Sequence, residues 1–330
     1  MSIDFSTLQG LTIPEGNVTQ ITDASGRVIW AVPVASGPAV LEVEKITSNT
    51  YANSTSYSNE QFVLLHVSIK TGGTVSITYG GLTKTFTHAD TSIGLATVHF
   101  GTYHGVSDEV ETPTSGILTI EGDCEYFSSS SYSVAKSKTA CCDCILSVND
   151  FGTIAKIVSA SFKNCTKLRS VNITSGVTSI VAQGFQNCTG LTNITVDSGN
   201  KYYSASDGVL FNKNKTELVC YPSVSGHYTI PNYVTSIGDG AFYACAGLTS
   251  ITIPNNVTSI GKNAFYLASG NTRTVNVLSV TPATLISLAG IVTAFDDVGT
   301  NNIIVPVGSG DTYKNADGWS KYADYITEAS

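Results

Sequence analysis

A motif returns along this chain with a 23-residue period, and that period constrains the fold more than any other feature. Phe162 and Phe185 stand one period apart, and so do Phe242 and Phe265. Phe185 and Phe242 are separated by one period plus 34, so an insertion divides two pairs of repeats in a common register. Ile157, Ile180, Ile237 and Ile260 fall in line, as do Ile154, Val177, Val234 and Val257. Cys165, Cys188 and Cys245 form a third column and Leu168, Leu191 and Leu248 a fourth. One period earlier stand Cys142, Ile145 and Val148, a half repeat. Leu248, Ile251 and Ile253 give the unit an extended stretch with one apolar face, and V-T-S-I gives a second short one. Ala241, Phe242 and Cys245 fill the turn between them. No single unit can bury its apolar face alone, so the units must stack into a solenoid with ladders of identical side chains.

The stretch V-T-S-I-G-D-G-A-F-Y-A-C-A-G-L-T-S-I-T-I-P-N-N-V-T-S-I-G-K-N-A-F (residues 234–265) resembles BspA-type leucine-rich repeats. The resemblance covers residues 141–280. The insertion around Tyr202-Tyr203, Asp207-Gly208 and Phe211 is similar to that family's extended hairpin repeat, as is the Leu218-Val-Cys-Tyr221-Pro222 that follows. Tyr313 to Tyr322 is similar to its closing segment. The first repeats depart from the pattern, with Gly184-Phe185 and no Ile-Gly pair, and the fourth degrades after Tyr266. The resemblance implies a bacterial surface or mobile-element protein that acts in adhesion and protein binding.

The rest of the chain reads as β structure. Residues 1–34, with a turn at Asp23-Ala-Ser-Gly26, read as short strands and resemble N-terminal attachment segments of phage and prophage structural proteins. Residues 35–140 read as a small all-β, sandwich-like domain with strands at 40–43, 61–69, 74–79, 82–86, 96–100 and 116–120. Gly72-Gly73 and Gly80-Gly81 are expected as tight hairpin turns. A Ser-rich stretch at 128–133 leads to the solenoid of 141–280, whose hairpin insertion is 197–230. Residues 281–330 are expected to be a cap, with a helix over 309–327. The whole is mainly β.

Charged residues are only 13% and the net charge is −8. The 17 basic residues are scattered, so nucleic acid and acidic lipid are not expected partners. No apolar run is long enough to insert in a membrane, and residues 1–6 lack the apolar core of a signal peptide. His66, His88, His99, His104 and His227 have no metal-ligand spacing, and there is no nucleophile elbow, phosphate loop or dinucleotide fingerprint. Cys141, Cys142 and Cys144 with Cys124 leave zinc, a disulfide and reduced packing open; reduced packing is favoured, because Cys142 already belongs to the ladder. The eight Asn-x-Ser/Thr sites, Asn164, Asn172, Asn187 and Asn256 among them, recur because the repeat does.

These readings leave no cofactor, no metal and no catalytic constellation. They point to a recognition protein associated with a phage or prophage virion, a tail or receptor-binding protein, whose solenoid binds a protein or a cell-surface glycan. A bacterial adhesin is the alternative, and an oligomer is compatible with either. The candidate contact residues are Tyr202, Tyr203 and Tyr228, with packing on the solenoid flank as the competing role. Asn172, Thr195 and Thr252 are expected to line one strand face.

Overall fold

The computed structural model describes residues 20–22, 28–31, 39–44, 46–47, 61–87, 95–101, 115–122, 124–128, 145–152, 154–158, 161–162, 165–243, 245–266, 273–288, 291–296 and 301–330. Two short strands, β1 (Gln20–Thr22) and β2 (Val28–Ala31), pair antiparallel as expected. The Asp23 to Gly26 turn lies outside the described residues. Then follow β3 (Ala39–Glu44), β4 (Ile46–Thr47), β5 (Gln61–Ile69), β6 (Thr74–Tyr79), β7 (Leu82–Thr87), β8 (Leu95–Gly101), β9 (Ser115–Gly122) and β10 (Cys124–Ser128). They form two antiparallel sheets. In one, β5 has β8 along one side and β10 and β4 along the other. The other contains β3, β9, β6 and β7.

The two Gly-Gly pairs differ. Gly80 and Gly81 take φ of 60° and 83° and join Tyr79 to its partner Leu82, the two-residue turn that alternating strands require. Gly72-Gly73 is not a hairpin, contrary to expectation. It carries the chain from β5 in one sheet to β6 in the other, with the Gly73 N–H donating to the Lys70 carbonyl at 2.8 Å.

The solenoid begins at β11 (Ile145–Asp150), the expected half repeat. Each turn adds one long strand to one parallel sheet and one short strand to another. The first turns supply β11, β12 (Lys156–Ile157), β13 (Ser170–Ile173), β14 (Ser179–Ile180) and β15 (Asn193–Val196). Val148 pairs with Val171 and Val171 with Ile194, in steps of 23. β11 also pairs antiparallel with β3, so one seven-stranded sheet, β15-β13-β11-β3-β9-β6-β7, crosses from the solenoid into the preceding region. Leu41, Val75, Ile77 and Leu118 share one apolar core with Ile145, Val171, Phe185 and Ile194.

The insertion opens with a hairpin, β16 (Tyr203–Ser206) and β17 (Val209–Asn212), followed by β18 (Glu217–Cys220) and β19 (Gly226–Thr229). Asp207 and Gly208 have φ of 53° and 78°, the two positive values a type I′ turn demands. All of Val209, Leu210 and Phe211 are buried, because each face of β17 meets a different core. Leu210 joins the first core, while Val209 and Phe211 join a second one built by the later turns. The hairpin is thus a wall inside the solenoid. Beyond it, Tyr221 takes the aromatic position of the ladder, stacked on Phe242 at 5.2 Å.

The later turns supply β20 (Ser236–Ile237), β21 (Leu248–Ile253), β22 (Ser259–Ile260), β23 (Arg273–Val277), β24 (Thr284–Leu285), β25 (Ser287–Leu288), β26 (Ile291–Val292), β27 (Asn301–Val305) and β28 (Ile326–Glu328). The stacking does not stop after Tyr266. Ile251 pairs with Val275, Val275 with Ile303 and Ile303 with Ile326, so the step widens to 24 and 28 before returning to 23. Phe162 stacks on Phe185 at 5.4 Å, Phe242 on Phe265 at 5.2 Å and Phe265 on Phe295 at 5.0 Å. Trp319, Tyr313 and Tyr322 close the column. The expected helix over 309–327 shrinks to α1 (Gly310–Lys314) and a 3-10 segment (Trp319–Tyr325). Gly318 between them has φ of 75°, which no continuous helix accommodates. Arg273 is buried, and its guanidinium donates to the carbonyls of Leu248 and Cys245, closing the turn beneath it.

Candidate functional site

The outward positions of the long strands form rows across the solenoid, because parallel pairing in register superposes equivalent side chains. In the first half Ser170 lies beside Asn193 and Asn172 beside Thr195. In the second half one row is His227, Ser250, Thr274 and Asn302. The next is Thr229, Thr252, Asn276 and Ile304. None of these side chains is an acid, a lysine or an arginine. Hydrogen bonds hold several of them in place. Thr195 Oγ1 donates to Asn172 Oδ1 at 2.9 Å, and Asn172 Nδ2 donates to Asp197 Oδ1 at 3.2 Å and to the Asn149 carbonyl at 3.3 Å. The ring of His227 bridges Ser250 Oγ at 2.7 Å and Thr229 Oγ1 at 2.9 Å.

The expected residues are therefore divided. Asn172 and Thr195 are neighbours on the sheet that ends at β15. Thr252 stands on a separate five-stranded sheet, β19-β21-β23-β27-β28. The hairpin packs between them, and the Ile194 N–H donates to the Gly208 carbonyl at 3.1 Å. The tyrosines are not one cluster. Tyr202 is half exposed, and Asn200 Oδ1 accepts from the backbone N–H of both Tyr202 and Tyr203. Tyr203 turns its hydroxyl to the other side of the solenoid, where it accepts the Ile180 N–H at 2.8 Å, at the break after β14. Burial raises its hydroxyl pKa; the Ile180 hydrogen bond acts the other way, and Glu217 adds to the rise. Tyr228 pairs with Ile251 in the inward register and leans on Tyr221, ring centroids 4.5 Å apart. Burial pushes its hydroxyl well above the usual range.

Sequence reasoning, which weighs His227 only as a metal ligand, misses the row that runs through it. The signal is the 23-residue step from His227 to Ser250. It also misses the outward stack of Tyr243 on Tyr266 at 4.5 Å, again one period apart.

Cys165, Cys188, Cys220 and Cys245 are buried thiols, as reduced packing predicts for the ladder. Burial pushes the Cys245 thiol up to about 11 and raises Cys220 as well, so neither supplies a thiolate at neutral pH. The side chains of Cys124, Cys141, Cys142 and Cys144 lie outside the described residues. Among the described residues no group of three or more His, Cys, Asp or Glu could hold a metal ion, and no helix is long and apolar enough to cross a membrane.

No curated protein matches the chain. Among solved structures, a leucine-rich repeat protein from Eubacterium ventriosum is 29% identical, over 47% of this chain and 46% of its own, with a TM-score of 0.33. A leucine rich cell surface protein from Faecalibacterium prausnitzii is 28% identical, over 34% and 37%, with a TM-score of 0.29. The pneumococcal vaccine antigen PcpA is 15% identical, over 50% and 64%, with a TM-score of 0.29. The chain spans under half the length of the first two. The family described as BspA type leucine rich repeat region matches residues 133–223 and 219–282, in six copies. The match falls on less than half of the chain, and within it the stacked turns of the solenoid are similar to BspA type leucine rich repeats.

Proposed function

We propose that this is a non-catalytic recognition protein of the cell exterior, which binds a protein or a cell-surface glycan through its long-strand face. The observation that carries this reading is the composition of the outward rows. From Ser170 and Asn172 through His227, Ser250 and Thr252 to Asn302, they offer hydroxyls, amides and one imidazole at fixed spacing. Such a surface recognises partners by hydrogen bonds rather than by net charge, and solenoids use extended faces of this kind for binding. Tyr202 at the edge of the hairpin adds an exposed ring next to the break between the two sheets. In its finer form, residues 1–34 attach the molecule to a virion or a related assembly. Co-sedimentation with phage particles of the full chain, and not of a chain lacking 1–34, tests that form.

The face itself is tested with the full chain, against a glycan array and against host cell-surface protein fractions. Thr195→Lys and Thr252→Lys place bulky charges on the face at exposed or half-exposed positions and should lower binding at least about tenfold while leaving the thermal midpoint near that of the parent. Undiminished binding by both variants would place recognition elsewhere.

A further inference from the structure

The short-strand sheet carries, on its outward side, a trough of about 530 Å³ that the long-strand reading does not use. Its floor is made by small residues. Ser236 and Ser259 occupy successive outward positions beside Glu217, and Gly238 and Gly261 follow them. Val181, 40% exposed, and Ile286, 38% exposed, are the most exposed of its apolar lining. From β18 to β24 the floor crosses three strand spacings of ~4.8 Å each, about the span of four extended residues at ~3.3 Å. The volume lies within the range of ligand clefts.

Two carboxylates belong to this trough, Glu217 and Asp239. Each lies across the turn that follows it, and a glycine makes the room. A Cβ on Gly238 would stand 3.1 Å from Glu217 Oε1, and one on Gly261 only 2.6 Å from Asp239 Oδ1. Asp239 Oδ1 accepts the Lys262 backbone N–H at 2.8 Å. Burial raises the pKa of Glu217, and the charge of Asp239 raises it further. Neither forms an ion pair with a lysine or arginine among the described residues, whereas Asp296 is paired with Lys321 at 2.6 Å. Half-buried Glu217 beside exposed Asp239 sets two like charges together without a counter-ion among the described residues, a repulsion that a cation relieves.

We propose that this trough docks an extended, basic segment of a partner protein. A lysine or arginine of that segment lies between Glu217 and Asp239, and its aliphatic neighbours rest on Val181 and Ile286. The charge balance argues for this occupant: the trough offers two carboxylates and apolar surface, and its other polar side chains are the neutral Ser236 and Ser259.

The test is calorimetric titration of the full chain, at low ionic strength, with acetyl-Val-Lys-Val-Lys-amide and with acetyl-Val-Gln-Val-Gln-amide. The lysine peptide should bind saturably and at least about tenfold more tightly than the glutamine peptide. Glu217→Gln and Asp239→Asn, which keep side-chain shape, should each weaken it about tenfold. Ile286→Ser, a partly exposed position remote in sequence from both carboxylates, should weaken it too, and Thr195→Lys on the opposite sheet should not. Equal binding of the two peptides would overturn the proposal, and so would carboxylate variants that bind as the parent does. Saturable calcium binding abolished by the same substitutions, with no peptide binding, would also overturn it.

Discussion

The two halves of the solenoid use one repeat and close it in different ways. Before the hairpin, the turns keep a strict 23-residue step, and β3 closes the stack by pairing antiparallel with β11. After the hairpin the step wanders to 24 and then 28, and an aromatic plug of Tyr313, Trp319 and Tyr322 ends the column. The lesson is that register in a stacked sheet is set by which side chains meet, not by how much chain lies between them. A turn can lengthen provided the inward positions still superpose, as Val275, Ile303 and Ile326 do. What each half cannot do without is a lid at both ends, since a terminal turn exposes an apolar face. The hairpin serves as the inner lid of both halves at once, through the opposite faces of β17.

The largest effects should come from the ladders themselves. Phe162→Ala and Phe242→Ala each empty a fully buried aromatic site and should cost about 3–5 kcal/mol by denaturant unfolding. If either leaves the transition unmoved, that half is not held by its column. Trp319→Ala should be nearly as costly, because it removes the plug and leaves the Ala283 carbonyl without the indole N–H that now donates to it at 2.7 Å. Its damage should concentrate in residues 273–305, read by hydrogen exchange, while 145–196 keep their protection.

A smaller effect is expected at the seam. Tyr203→Phe removes the hydroxyl that accepts the Ile180 N–H, at a cost of about 1 kcal/mol. Gly208→Ala asks a non-glycine residue for a φ of 78° and should cost about 1 kcal/mol. Both should loosen the two halves together, since the hairpin touches both.

The smallest effects are those of pH, and the two glutamates of the second half should respond in opposite directions. Glu328 accepts the N–H groups of Gly308 and Gly310, which lower its pKa below the ordinary 4.5. Its contribution is present above that value and fades as pH falls through the lowered one. Glu217 has a raised pKa, so its ionised form opposes folding above 4.5 and the opposition is relieved on protonation. Glu217→Gln should therefore raise the thermal midpoint slightly at neutral pH, and Glu328→Gln should lower it. A shift of the same sign for both would refute this assignment.

Much of the first half was legible because identical residues recur at one spacing: Phe162 and Phe185, Leu168 and Leu191, Cys165 and Cys188. The hairpin at Asp207-Gly208 was expected from its resemblance to the family's hairpin repeat, and its turn type came only with the backbone angles. The wall was not, because Val209-Leu210-Phe211 is apolar at every position, and a strand buried on both faces has no alternation to read. The turns beyond Tyr266 were hidden by the slipping step, which takes Phe295 out of the 23-residue register although it stacks on Phe265. The expected cap helix failed at Gly318. Of the candidate residues, Asn172 and Thr195 share a strand face, as the single period between them implies. Tyr203 and Tyr228 gave no signal of the backbone N–H or ring each would meet, since both contacts depend on how the insertion folds back. The trough was invisible because Glu217 precedes its neighbour Ser236 by less than one repeat, off the period.

The dual role of β17 is tested most directly by comparing Leu210→Ala with Phe211→Ala in native-state hydrogen exchange. The two residues are adjacent and both fully buried, but they face different cores. Leu210→Ala should speed exchange chiefly in 145–196, and Phe211→Ala chiefly in 230–265. If both variants raise exchange over the same residues, the solenoid has one undivided core and the hairpin is not its wall.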